Sequence, residues 1–285
     1  MIPSKPYEEI IEAKRGWLSF DWQELIRYRD LLLIFAWRDA LLKFKELSLG
    51  PAWFLVQPLS TAFIFSVIFG RFAQLSTDKI PAILFYLSGL LFWTYFSHCL
   101  SGVSRVFIGY GDLFEKVYFP RLIAPLSMIL SNLITFLIQA VLFFFIYLYF
   151  KFFIPSAKNL EPSLFCIWIP FLILQTSALS LGCGLWLSVL TSRNKDMQGI
   201  INFLMQLWMY ATPVIYPMSM IPEKWRILQS LNPMSAVIEG SRVAFFGIGT
   251  IHFKHFLISG LMTLGILVTG VLIFNKFERE FLDDN

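Results

Sequence analysis

Apolar and polar positions fall along this chain in long blocks rather than at the short periods of a soluble fold. Six apolar stretches, about Pro51–Gly70, Ile80–Val103, Leu122–Phe150, Leu164–Leu190, Ile200–Tyr216 and Phe256–Asn275, are separated by polar segments. At 1.5 Å per residue, about 20 residues cross the roughly 30 Å hydrocarbon core, so each stretch predicts a transmembrane helix, the fifth only just. None of the six contains Asp, Glu, Lys or Arg. Ion-coupled carriers need ionisable groups at membrane depth to hold the coupling ion. Apart from phenols and thiols, the one titratable side chain within these stretches is His98, read as a hydrogen-bonded or interfacial histidine. A polytopic protein of this kind is passive, or draws its energy from a partner.

The predicted fold class is therefore an all-α integral membrane protein with six spans. Residues 1–50 form a cytoplasmic N-terminal segment, 51–275 the transmembrane domain and 276–285 a cytoplasmic tail. Composition agrees, with 57% hydrophobic and 15% charged residues against about 25% charged in soluble domains. Residues 1–30 show no apolar core behind a basic start, so no secretory leader is expected. Cys99, Cys166 and Cys183 all lie in apolar stretches and read as small hydrophobes, with no metal site expected. With the N-terminus inside, the cytoplasmic segments hold 15 Lys and Arg against 8 in the outer ones. That excess sets both termini in the cytoplasm, and it rests on the eight basic residues before the first span.

Three segments outside the spans have a pattern of their own. Trp37, Leu41, Phe44 and Ser48 share one helical face, with Arg38, Asp39 and Lys45 elsewhere, which suits a helix lying in the membrane interface. Gly50 and Pro51 then end that helix and start the next. In the second segment, SRVFIGYGDLFEKVYFPR, Gly109 and Gly111 are expected to break the preceding helix and Asp112 to cap a short new one, stopped by Pro120. The third, residues 217–254, follows ATPVIYP, where Pro213 and Pro217 interrupt the end of a span. Within it Met234–Phe246 reads as a half-buried helix on which Glu239 and Arg242 can pair, in a re-entrant hairpin or an ordinary loop.

Four runs occur in order: FAWRDALLKFKELSLGPAWFLVQPLS, KVYFPRLIAPLS, LWMYATPVIYP and LNPMSAVIEGSR. Together they resemble the membrane subunit of ABC-2-type polysaccharide exporters, which move O-antigen, teichoic acid and related lipid-linked glycans. The resemblance implies a homodimer in the cytoplasmic (inner) membrane, each copy docked to a separate nucleotide-binding subunit that carries the ATP and Mg. This chain has no G-x-x-x-x-G-K-[ST] loop and is expected to bind no cofactor and no nucleic acid. By resemblance, Trp37, Arg38, Asp39, Lys43, Phe44 and Lys45 belong to an interface helix touching lipid headgroups. Asp112, Phe114, Glu115, Lys116, Tyr118, Pro120 and Arg121 form the ATPase-coupling helix and its exit. Pro213, Tyr216, Pro217, Glu239 and Arg242 belong to outer re-entrant gate helices.

Aromatic residues make up 18% of the chain, and aromatic faces stack on sugar rings. Trp53, Phe92, Trp93, Phe96, Trp208 and Tyr210 are the candidates for glycan contact, whereas Phe143, Phe144 and Phe145 are expected to face lipid. O-antigen is the favoured cargo, with teichoic acid or capsular glycan as alternatives. An intramembrane glycosyl- or acyltransferase would need a polar cluster at one interface, and His98 falls on the opposite side from Glu239 and Arg242. A passive channel would need no coupling segment. Orientation is directly testable: a cysteine at Lys224 should react with a membrane-impermeant thiol reagent from outside, and one at Lys116 only after permeabilisation. The reverse pattern would overturn the N-in topology.

Overall fold

The computed structural model describes residues 22–46, 52–117, 119–157, 160–194, 196–249 and 253–283. Among them the chain is all-helical, with no strand. α1 (Trp22–Arg27) runs almost unbroken into α2 (Arg29–Glu46), because Tyr28 and Leu32 keep their i−4 hydrogen bonds across the junction. α3 (Trp53–Phe65) widens into a π-helical segment, Ser66–Phe72. α4 (Ala82–Ser104) is followed by α5 (Val106–Lys116) and α6 (Ile123–Phe153). A 3-10 turn at Leu164–Trp168 leads into α7 (Ile169–Arg193), then α8 (Met197–Ala211). The short helices α9 (Glu223–Ser230) and α10 (Pro233–Phe246) precede α11 (Phe253–Asp283).

Among the described residues five segments are long and apolar enough to cross a membrane: Trp53–Phe72, Ala82–Ser104, Ile123–Phe153, Leu164–Arg193 and Phe253–Phe277. They coincide with five of the six expected stretches to within a few residues. The stretch at Ile200–Tyr216 differs. Its helix, α8, has 15 residues, about 22 Å at the α-helical rise. Pro213 explains the shortening: the residue before a proline is pushed out of the helical region, and Thr212 is extended at φ −101°, ψ 145°. The expected helix break at Gly109 and Gly111 is also absent. Both lie inside α5, which starts at Val106 and not at a cap on Asp112. A glycine costs a helix only about 1 kcal/mol relative to alanine, less than the packing of the Phe107, Tyr110 and Phe114 rings that α5 buries. Gly50, Pro51 and Ser48 lie outside the described residues.

α4 is the axis of the bundle and packs against α3, α6, α7, α8 and α10. Glycines bring its neighbours in. A Cβ added to Gly184 of α7 would lie 2.6 Å from the Val103 Cβ of α4. α7 and α11 meet in the same way: a Cβ on Gly182 would sit 2.7 Å from the Leu267 Cα, and one on Gly270 would sit 2.5 Å from the Gly182 carbonyl oxygen. Lipid tails are as apolar as leucine, so close backbone approach at small residues is what holds such helices together.

Pro58 lies inside α3 and cannot donate to the Phe54 carbonyl one turn back. Gln139 of α6 donates to that carbonyl from Nε2 at 3.1 Å, while its Oε1 accepts from the Thr94 hydroxyl of α4 at 3.2 Å. One buried amide thus repairs α3 and joins three helices. Of the three phenylalanines expected to face lipid, Phe144 and Phe145 are exposed, but Phe143 is buried against Phe245 of α10, with ring centroids 4.7 Å apart. Its place one turn before the buried Tyr147 sets it on the inner face of α6. Replacing Gly182 by alanine should drive α7 and α11 apart and destabilise the fold by about 1–3 kcal/mol. The readout is a lower unfolding midpoint in detergent, against no loss for Gly199→Ala, where the added methyl meets open space. Equal midpoints for the two variants would refute the close-packed contact.

Candidate functional site

The interface-helix residues lie on α2, whose two sides differ in an unexpected way. Phe35, Ala36 and Ala40 are buried against the bundle, and with them Asp39 and Lys43 turn inward. Lys43 Nζ donates to the Ser131 hydroxyl at 3.0 Å and to Asn132 Oδ1 at 2.8 Å, both on α6. Burial holds the Lys43 ammonium below the usual lysine pKa. Trp37, Ile34 and Leu41 are exposed on the other side, so the apolar stripe faces away from the bundle. Phe44 is half-buried and packs edge-on against Phe54 of α3, with centroids 5.4 Å apart. Lys45 is exposed.

α2 is bolted to α5. The Tyr110 hydroxyl donates to Asp39 Oδ2 at 2.5 Å, and Arg38 pairs with Asp39 Oδ1 at 2.8 Å while its guanidinium lies 4.9 Å from the centroids of both Phe35 and Tyr110. Burial, together with the accepting Asp39 carboxylate, raises the pKa of the Tyr110 phenol. Phe114 is buried within 6.1 Å of Tyr110 and 5.5 Å of Phe119, and the buried Arg121 covers its ring at 5.3 Å. At its other end α5 reaches α11, where Phe107 stacks on Phe274 at 5.2 Å and meets Phe277 at 5.4 Å. Arg193, closing α7, lies 5.6 Å from the Phe277 ring. Lys116 is exposed, and Pro120 precedes the turn into α6. The backbones of Asp112 and Glu115 lie in α5; their side chains, and Tyr118, fall outside the described residues.

At the opposite end of α4, Pro213 and Pro217 break the chain as expected. Val214 N–H donates back to the Thr212 carbonyl at 2.6 Å, a three-residue turn centred on Pro213. Val214 and Ile215 are buried, and Tyr216 is half-buried. Arg242 of α10 is fully buried: its Nη2 donates to the Val214 carbonyl at 2.9 Å, and its guanidinium covers the Phe85 ring of α4 at 3.6 Å. Glu239 lies 3.7 Å from Arg242 Nη1, the pairing expected from their spacing. Gly89 makes the space, since a Cβ there would sit 3.2 Å from Arg242 Nη2. α10 is more deeply buried than half: Met234, Val237, Ile238, Ala244 and Phe246 are all within the core. Asn232 caps it by accepting from Met234 N–H at 3.2 Å, and Gly247 ends it at φ +67°. Only glycine suits that cap, because a Cβ would also meet the Glu161 carbonyl at 2.8 Å.

The channel candidates separate by burial. Phe92, Trp93 and Phe96 are buried in α4. Phe92 packs on Phe136 at 5.3 Å, while Trp93 and Phe96 meet Trp208 of α8 at 6.4 and 5.0 Å. Trp208 Nε1 donates to Asn232 Oδ1 at 3.1 Å, tying α8 to the start of α10. Trp53 and Tyr210 are the two with large exposed surface. Sequence reasoning missed Tyr110, Ser131, Asn132 and Gln139, all polar residues spent on joining helices. One signal was available: Phe35, Ala36, Asp39, Ala40 and Lys43 recur at helical spacing and mark the bundle-facing side of α2.

Known proteins resemble this chain over most of its length. It is 28% identical over 260 residues to the O-antigen export system permease protein RfbA of Klebsiella pneumoniae, covering 89% of this chain and 94% of the relative. The RfbA permease of Myxococcus xanthus is 26% identical over 79% of this chain and 83% of its own length. The polysialic acid transport protein KpsM of Escherichia coli is 22% identical over 73% of this chain and 78% of its own length. Residues 30–246, from the start of the bolted helix α2 to the end of the buried helix α10, match the ABC-2 type transporter family. The chain is thus a multi-pass membrane protein that belongs to the ABC-2 type transporter family.

Proposed function

We propose that this chain is the permease subunit of an ATP-driven exporter that moves a lipid-linked polysaccharide, O-antigen first among candidates, across the cytoplasmic membrane. The observation that carries this reading is the near end-to-end similarity to O-antigen export permeases. The weaker similarity to a polysialic acid transport protein makes a capsular glycan the second choice. Two copies form the pathway, and each receives work from a separate ATPase subunit. The absence of Asp, Glu, Lys and Arg from the apolar stretches fits an energy source outside the chain.

In this reading α5 is the lever. Its ties to α2 through Tyr110–Asp39 and to α11 through Phe107–Phe274 pass a push on α5 to both the first and the last helices of the bundle, at one end of it. α2 lies in the interface with Trp37 toward the headgroups. α8 is the fifth of six spans in chain order, and because it is short, the turn at Pro213 and the pair α9–α10 complete the crossing from the outer side. Irregular backbone at membrane depth is tolerated where it is buried in protein, and the Val214 carbonyl is satisfied by Arg242. α9 and α10 then form the outer gate. Exposed Trp53 and Tyr210 are the surfaces left to a glycan or to the second copy.

Deleting the gene should trap lipid-linked glycan on the cytoplasmic side. The native chain should restore export, whereas a Glu115→Lys, Lys116→Glu double variant should restore insertion but not glycan-stimulated ATP hydrolysis. Unchanged surface glycan in the deletion strain would reject the cargo. Full export by the double variant would reject α5 as the lever.

Replacing both Pro213 and Pro217 with alanine should lengthen α8, pull Val214 from Arg242 and open the outer seal. The expected result is leakage of small solutes without ATP, with ATPase binding unchanged. A tight, fully active variant would remove α9–α10 from the gate.

A further inference from the structure

Between α2, the start of α3, α4, α5 and α6 lies an open cavity of about 490 Å³, within the range of about 300–1,000 Å³ usual for small-ligand sites. Its polar lining comes from Arg38, Asp39, Lys43, His98, Arg105 and Asn132. Asp39 is its one described carboxylate: Arg38 pairs with it at 2.8 Å, the Tyr110 hydroxyl donates to it at 2.5 Å, and its charge also acts on Lys43. Lys43 and Arg105 remain as cations whose recorded hydrogen-bond partners are neutral. Lys43 meets the Ser131 hydroxyl and the Asn132 amide oxygen, and Arg105 meets the Ser101 carbonyl and hydroxyl at 3.3 and 3.2 Å. Desolvating positive charge in excess of its counter-charge is unfavourable, and Lys43, with only the shared Asp39 near it, is largely withdrawn from water.

Ser101, Tyr110 and Thr135 add hydroxyls, and the rest of the wall is apolar or open. Leu42, Phe54 and Met128 line one part, and Gly109 presents no side chain and has nothing within 4 Å of where a Cβ would be. Trp37 and Leu41 are exposed on the same helix, and in the proposed function that face lies beside lipid headgroups. A site with three cations against one carboxylate, with an imidazole and an amide beside them, suits a tetrahedral oxyanion, which accepts several charge-assisted hydrogen bonds at once.

The geometry points to a phosphate-binding site in this cavity, built on Lys43 and Arg105, that takes a phosphate or diphosphate group. Two sources present that chemistry, the headgroup of a membrane lipid and a free inorganic anion. The charge balance of the cavity holds whatever cargo the transporter carries, so loss of the O-antigen reading would leave this site standing.

The test uses the full chain in nanodiscs and two probes. One is inorganic pyrophosphate added to phosphatidylcholine discs; the other is phosphatidic acid incorporated in the disc, with lipid retention read by native mass spectrometry. Each probe that binds should raise the unfolding midpoint, less so at high salt. Arg105→Gln, on an exposed side chain, should weaken binding by about tenfold, as should Lys43→Gln, since a hydrogen bond to a charged group contributes roughly 1.5–3 kcal/mol. Lys224→Gln, far along the chain on α9, should change nothing. Binding of phosphatidic acid alone identifies a lipid headgroup as the source, and binding of pyrophosphate alone identifies a free anion. If neither probe binds, or if Arg105→Gln binds as tightly as the native chain, or if Lys224→Gln weakens binding equally, the site does not exist.

Discussion

Helix α4 leaves almost no face for lipid, and the rest of the bundle follows from that. A central helix in a membrane protein cannot be held by expulsion of water, because its alternative surroundings are hydrocarbon. It is held by contact, and here α3, α6, α7, α8 and α10 all press on it. Gly184 lets α7 approach Val103, and Gly89 leaves space for the Arg242 guanidinium. Ser88, Thr94 and Ser104 of α4 donate to carbonyls three or four residues back, while Thr94 also reaches Gln139 of α6 and Tyr95 pairs with Ser177 of α7. Among the described residues the buried Tyr86 hydroxyl is the unpaired polar group on this axis, and the charged neighbours of α4 arrive from other helices at its two ends.

Those two ends are built on different principles. At the Ser104 end, a carboxylate and three cations sit around an open cavity, with α2 and α5 joined by one short hydrogen bond. At the Ala82 end, a single guanidinium is fully enclosed. Its face lies on Phe85, one nitrogen is satisfied by a backbone carbonyl, and Glu239 stands 3.7 Å away. Arg242 Nε has no hydrogen-bond partner among the described residues. A buried cation held over a ring face is stabilised by about 2 kcal/mol when desolvated, less than the loss incurred if Glu239 were removed and the charge left alone. One end is adaptable and the other is locked.

Much of this architecture was legible in the hydrophobic pattern. Five spans fell within a few residues of their expected limits, and the prolines after Ala211 and the Glu239–Arg242 pair behaved as their chemistry requires. The pattern failed where tertiary packing outweighed a local preference. Gly109 and Gly111 stay helical because α5 buries Phe107, Tyr110 and Phe114 on either side of them. α8 stops early because Pro213 acts on Thr212 before any apolar count is complete. Along α2 an aromatic stripe drew attention to the outward side, whereas the side that makes the contacts is marked by small residues and two charges. Hydrophobicity identifies what water rejects, and in a membrane that leaves the inward face unspecified.

The Gln139 amide bears on how this chain can change over time. Pro58 leaves the Phe54 carbonyl without its usual donor, and Gln139 supplies one from a helix more than eighty residues away in sequence. The two residues therefore behave as one heritable unit. Loss of Gln139 strands a carbonyl in a medium that offers no substitute. Loss of Pro58 first restores the helix's own donor and leaves the amide free to be replaced. Only one order of substitution is open, so an ancestor and its descendants can differ at both positions while passing through only one of the two intermediates.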